Sequence, residues 1–105
     1  MGMPMAGEDW RTADTAALFD AILTLETGDE AASFFRDLCT FHELEEMSQR
    51  WAVVRLLVQG IPYRKISKMT GASTATITRI NQWRNHGAGG YRLALKRSEF
   101  NGEER

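Results

Sequence analysis

A chain of 105 residues, 43% of them apolar, is long enough for one domain and one core, and its 26% charged residues cancel to a formal net charge of −1. No apolar run reaches the length of a membrane span and no stretch near the start has the form of a secretion signal, so a cytoplasmic protein without a membrane partner is expected. A lone cysteine, Cys39, excludes an intrachain disulfide, and two prolines among many helix formers predict an all-α chain.

The balanced total hides a split. Residues 1–49 carry 11 acids and 2 bases, residues 50–97 carry 10 bases and no acid, and residues 98–105 carry 3 acids and 1 base. A polyanion responds to the local field, so the overall charge says little about partners. A merely solvated basic face would intersperse acids.

Residues 1–11 are rich in Met and Gly and read as a frayed arm, with Trp10 docking on the first helix. Thr12 or Asp14 can cap a helix reaching about Thr27, with Leu18, Ile22 and Leu25 on one face. Gly28 and Asp29 end it, and a second helix over about residues 30–39 puts Phe34, Phe35 and Leu38 on one side. Thr40-Phe41-His42-Glu43 has the spacing of a capping box, in which Glu43 reaches back to the Thr40 N–H. It opens the longest helix. Leu44, Met47, Trp51, Val54 and Val58 follow at alternating steps of three and four, a heptad-like seam that ends at Gly60. So short a chain would struggle to cover this seam alone, and part of it is expected to pack against a second subunit. Phe34, Phe35, Phe41 and Trp51 read most simply as core.

Residues 61–85 carry the stretch around which the chain is organised. Pro62 suits a first helical position. Ile66 and Met69 give the short helix an inward face, while Arg64, Lys65 and Lys68 make its exterior basic. Gly71 can take a left-handed backbone without steric penalty, and Ser73 can cap the helix that follows. In that helix Ile77 and Ile80 point inward, so Thr74, Ala75, Thr78, Arg79 and Gln82 fall on or near the outer face. Ser67 is small, as the crossing of two short helices requires. Helix, tight turn and helix in this order fit the motif that enters the major groove of DNA, and small polar side chains can approach base edges and offer methyl groups to thymine. A surface helical hairpin that happens to be basic is the plainer alternative, and the absence of any acid from the outer face weighs against it. Beyond it, residues 85–90 read as a flexible turn, Tyr91, Leu93, Ala94 and Leu95 as a short last helix, and residues 98–105 as a loose acidic tail. The helical DNA-binding domain is thereby expected over residues 12–97.

The segment TGASTATITR, at residues 70–79, resembles the turn and recognition helix of the Trp repressor superfamily. With LLVQG upstream and INQW followed by GGY downstream, the chain is most similar to the YerC/YecD branch of Trp-repressor-like proteins, over about residues 18–96. One position departs from the general helix-turn-helix pattern: Thr70 stands where Leu is usual. The resemblance implies an all-α fold of five or six helices, an intertwined homodimer, and a DNA-binding regulator. It also places Thr40, Arg50 and Arg79 where the Trp repressor's effector pocket has a Thr and two Arg residues. Ile80 and Trp83 stand where that pocket needs a Gly and a small Ser. Tryptophan is therefore not expected to be the effector.

Other chemistry finds little support. Cys39 and His42 lie near Glu43 and Glu46, but a structural zinc site wants four ligands and no second Cys/His pair exists, so no metal is expected and Cys39 reads as a buried thiol. Neither histidine stands in a nucleophilic constellation, and residues 87–90 lack the Lys-Ser/Thr ending of a phosphate loop. Trp83 and Tyr91 could stack on bases, as in single-strand binders, but both adjoin apolar neighbours and fit core or interface duty better. No enzyme and no cofactor is expected. The leading reading is a homodimeric, sequence-specific regulator of transcription, a repressor, bound to double-stranded DNA. Arg64, Lys65, Lys68 and Thr76 would hold phosphates; Thr74, Ala75, Thr78, Arg79 and Gln82 would read bases, behind the cap at Ser73. Two alternatives stay open: a helical adaptor whose basic face binds an acidic protein, and the DNA-binding piece of a recombinase.

Overall fold

The structure is a computed structural model and describes residues 10–103; residues 1–9, most of the expected arm, lie outside the described residues. Six helices follow one another: α1 (Ala13–Ile22), α2 (Gly28–Leu38), α3 (Phe41–Val58), α4 (Tyr63–Thr70), α5 (Thr74–His86) and α6 (Gly90–Glu103). No strand occurs among the described residues, and none of these helices is long and apolar enough to cross a membrane. One compact unit ends at Met47 and the other begins at Ser48, so α3 passes from the first into the second.

In the first unit the helix ends are set by local chemistry. Thr12 and Thr15 exchange side-chain and backbone bonds in a reciprocal cap at the start of α1. This helix stops five residues earlier than the apolar spacing predicts. Beyond Leu23 the Thr24 and Leu25 N–H groups bond three residues back, to the Ala21 and Ile22 carbonyls, and Thr27 then opens the next helix. Its hydroxyl accepts the Glu30 N–H at 3.1 Å as the cap of α2, and its extended backbone cannot also continue α1. The capping box that opens α3 forms as the sequence predicts: the Thr40 N–H donates to Glu43 Oε1 at 2.8 Å, and the Glu43 N–H donates to Thr40 Oγ1 at 3.1 Å. The bond from the Thr40 N–H, followed by the Thr40 side chain, favours the charged carboxylate and holds the Glu43 pKa below its ordinary value. Trp10 meets Phe19 edge-on at 6.0 Å between ring centres, the docking expected of it.

No residue between 10 and 47 is buried. Leu23 is 82% exposed, and Phe41, expected in the core, is 64% exposed with the Arg36 guanidinium 5.8 Å above its ring. Phe41 is the first residue of α3, so it follows the cap outward and takes a cation as neighbour. Phe34 and Phe35 are half-buried and pair edge-on, and Cys39 is half-buried rather than fully enclosed.

The core lies in the second unit. Val53, Val54, Ile66, Ala72, Ile77 and Ile80 are buried, with Trp51, Leu56, Leu57, Ile61, Tyr63, Trp83, Tyr91 and Leu95 packed around them. Of the predicted seam on α3 only Val54 is buried; Met47 and Val58 are exposed, Leu44 and Trp51 are half-buried, and Val53 is buried instead. Neighbouring residues on a helix point about 100° apart. Burying Val53 beside Val54 turns the covered face of α3 away from a strict heptad line. Tyr91 and Leu95, four residues apart, hold α6 on the cluster, and Tyr91 stacks at a tilt on Trp51. Burial raises the Tyr91 pKa, and the positive charge of Arg50 opposes that shift in part. With those anchors α6 continues past Ser98, where the sequence predicts a loose tail, and ends at Glu103.

Candidate nucleic-acid interface

The reading motif is built from α4, the turn at residues 71–73, and α5. Pro62 precedes the first helical residue rather than occupying it, with its backbone extended at ψ 148°. Gly71 caps α4 at φ +80°, a left-handed conformation that costs a Cβ-bearing residue strain, and its N–H donates to the Ser67 carbonyl at 2.8 Å. Ser73 Oγ then accepts the Thr76 N–H at 3.1 Å and starts α5. Ala72, between these two caps, is buried under the corner.

Ile66, Ile77 and Ile80 meet in the core as their spacing predicts. Met69 does not: it is 58% exposed. The inward face of α4 runs instead from Ile66 to Thr70, one full helical turn on. Thr70 is half-buried, and its hydroxyl donates to the Ile66 carbonyl at 2.8 Å and accepts the Ala72 N–H at 3.2 Å. Where the general pattern has Leu, this chain closes the corner with hydrogen bonds.

On the outside, Arg64, Lys65 and Lys68 are exposed on α4, and Thr74, Ala75, Thr78, Arg79 and Gln82 are exposed on α5. Ser73 is exposed at the cap and Thr76 is half-buried, its hydroxyl accepting a bond from Ser73 Oγ at 3.0 Å. Thr78 spends its hydroxyl proton on the Thr74 carbonyl at 2.9 Å, so outward it offers a methyl group and acceptor lone pairs. No carboxylate occurs between residues 50 and 97, so nothing in this segment of chain cancels the field of its bases.

Several residues that shape this surface carry no local sequence signal. The amide of Asn81 donates to the Tyr63 hydroxyl at 3.1 Å and its oxygen accepts from Arg84 Nε at 3.1 Å, tying α5 to the first turn of α4 across 18 positions. Gln49 of α3 donates to the Thr70 carbonyl. Such pairs become visible only when the fold brings distant residues together.

The three residues matched to an effector pocket are distributed over both units. Thr40 lies in the first, with its hydroxyl engaged in the α3 cap; Arg50 and Arg79 lie exposed in the second. Ile80 is 1% exposed within the core cluster and Trp83 packs against that cluster.

The sequence profile described as Trp repressor protein matches residues 13–99. The chain belongs to the Trp repressor family. Within it, the chain is similar to YerC of Bacillus subtilis (strain 168), with 46% identity over 80 residues that cover 76% of this chain and 77% of that one. Two solved structures share the fold. A TrpR-like protein from Eubacterium eligens ATCC 27750 superposes with a TM-score of 0.81 at 43% identity, covering 85% of this chain and 92% of its own. A Trp repressor-like structure from Staphylococcus aureus gives 0.83 at 43% identity, covering 91% and 96%. This is an all-α family of DNA-binding regulators, not of enzymes.

Proposed function

We propose that the protein is a homodimeric, sequence-specific repressor of transcription that inserts α5 into the major groove of double-stranded DNA. The observation that carries this reading is the face formed by α4 and α5: its isoleucines are buried, its outward side chains apart from Met69 are small, polar or basic, and no acid lies within the surrounding segment. Arg64, Lys65, Lys68 and Thr76 hold phosphates and fix the register. Thr74, Ala75, Thr78, Arg79 and Gln82 read base edges, with Ser73 setting the start of the helix. The functional domain spans residues 12–97, with the reading motif at 61–85.

The dimer draws support from the first unit, where no residue between 10 and 47 is buried and Leu23, Leu38 and Phe41 are exposed. Helices with apolar faces left in water gain most of their stability by packing against something else. In the second unit, an open groove of about 570 Å³ lined by Trp51, Arg55, Val58, Gln59, Leu95 and Ser98 offers further apolar surface for a second subunit. Tryptophan is not the effector of this repressor, because Ile80 and Trp83 bring apolar bulk to positions that the resembled pocket keeps small.

Selection of duplexes from a randomised pool tests the reading. Two-fold-related half-sites, with centres about one duplex turn apart, are expected for a dimer presenting two recognition helices. Failure to enrich any duplex, together with capture of an acidic polypeptide, would instead support the adaptor.

A further inference from the structure

We infer that Arg92, on α6, is a positioning residue for DNA recognition: its guanidinium clamps the C-terminal turn of the recognition helix and so makes the pose of α5 depend on α6. The inference rests on the reading of α5 as the recognition helix.

An α-helix ends with four carbonyls that lack an intrahelical partner. In α5 these belong to Trp83, Arg84, Asn85 and His86. Gly87 takes the first, its N–H donating to the Trp83 carbonyl at 2.8 Å. Arg92 takes the next two: Nε donates to the Arg84 carbonyl at 3.0 Å, and one terminal amino group donates to the Asn85 carbonyl at 2.7 Å. A planar fork with parallel donors fits two adjacent carbonyls, whereas a lysine presents a single flexible point charge. The cation also sits at the negative end of the helix dipole.

The linking turn is shaped for this reach. Gly89 has φ +90°, and a Cβ at Gly87 would lie 2.4 Å from the Trp83 carbonyl oxygen. Both positions therefore call for glycine, and the turn brings Arg92 back across the end of α5 while Tyr91 and Leu95 hold α6 on the core. The clamp uses two of the guanidinium's donors on backbone that no DNA sequence can replace. Arg92 thus acts through α5 and not as a phosphate ligand.

The test compares the full-length protein with Arg92→Gln and Arg92→Lys, using a duplex recovered by the wild-type protein from a randomised pool. Affinity is read across a salt series, alongside amide exchange at residues 85–88. Both variants are expected to bind roughly three- to tenfold more weakly, with an unchanged slope of log affinity against log salt and faster exchange at the end of α5. Arg92 is exposed, so thermal unfolding of the variants should stay near that of the wild type. A slope reduced by about 0.9 in Arg92→Gln, with full rescue by Arg92→Lys, would make Arg92 a phosphate contact and overturn the inference. Unchanged exchange at residues 85–88 would overturn it as well. A wild-type protein that retains no duplex at low salt, while exchange still responds to Arg92→Gln, would refute the DNA-binding reading and the recognition role that rests on it, leaving only the helix clamp.

Discussion

The side-chain amide of Gln49 donates to the backbone carbonyl of Thr70 at 3.0 Å, fastening α3 to the residue on which the reading motif turns. The bond satisfies a carbonyl at the C-terminal end of α4, where helices leave acceptors unpaired. Thr70 meanwhile bridges Ile66 and Ala72 through its hydroxyl, so three polar links converge on one half-buried threonine. Gln49→Ala should destabilise the fold by about 1 kcal/mol and weaken duplex binding, because the corner that aims α5 is loosened. Urea unfolding checks this through a lower midpoint at unchanged slope. An unaltered midpoint would show that the bond contributes nothing net.

Burial decides a second pair of outcomes. Ile77 is fully buried and Met69 largely exposed, although both stand in the apolar pattern of the motif. Ile77→Ala should cost about 2–5 kcal/mol, and Met69→Ala within about 0.5 kcal/mol of nothing. Equal losses in thermal unfolding would mean that Met69 is covered in the assembled protein.

The fate of Met69 shows where the sequence was readable. Gly71, Ser73 and Thr40 act on neighbours within a turn, so their caps could be foreseen from spacing alone. Ile66, Ile77 and Ile80 were legible because β-branched residues at helical spacing leave few other places to go. In an eight-residue helix, however, steps of three and four fit the apolar pattern almost equally well, and only the corner bonds of Thr70 choose between them. The extent of α6 escaped for another reason: Ser98, Asn101 and Gly102 are weak helix formers, while the anchors that sustain the helix, Tyr91 and Leu95, lie a turn or more upstream. On the candidate interface, the exposed bases were evident from charge, but the Asn81–Tyr63 and Arg92 links join different helices and leave no local trace.

Thr78 and Lys68 should separate into two kinds of contact. Thr78 sits on the outer face of α5 with its proton already committed to the Thr74 carbonyl, so it meets a base with a methyl group and an acceptor. Thr78→Ala should relax preference at one base position by roughly 1–3 kcal/mol, whereas Lys68→Ala should weaken all duplexes alike. Selections repeated with each variant read this directly. Uniform weakening by Thr78→Ala would remove it from the base-reading set.

The start of α3 should respond to acid. Glu43 has a folded-state pKa below its ordinary value of 4.5, held there first by the bond from the Thr40 N–H. A lowered pKa contributes stability that is complete above the unfolded value and is lost as pH falls through the folded one. Protection of the amides at residues 40–43, measured as exchange relative to the intrinsic rate at each pH, should therefore fall below about pH 4.5 in the wild type and change little with pH in Glu43→Gln. The same acid response in that variant would locate the titrating group elsewhere.

Duplex affinity across a salt series is the measurement that bears most directly on the DNA-binding reading. Ten bases without an acid between residues 50 and 97 predict that log affinity falls linearly with log salt, by about 0.9 for every phosphate neutralised, and that Arg64→Ala, Lys65→Ala and Lys68→Ala each shallow the slope by about that amount. Binding that is insensitive to salt, or no binding to any duplex at low salt, would contradict it.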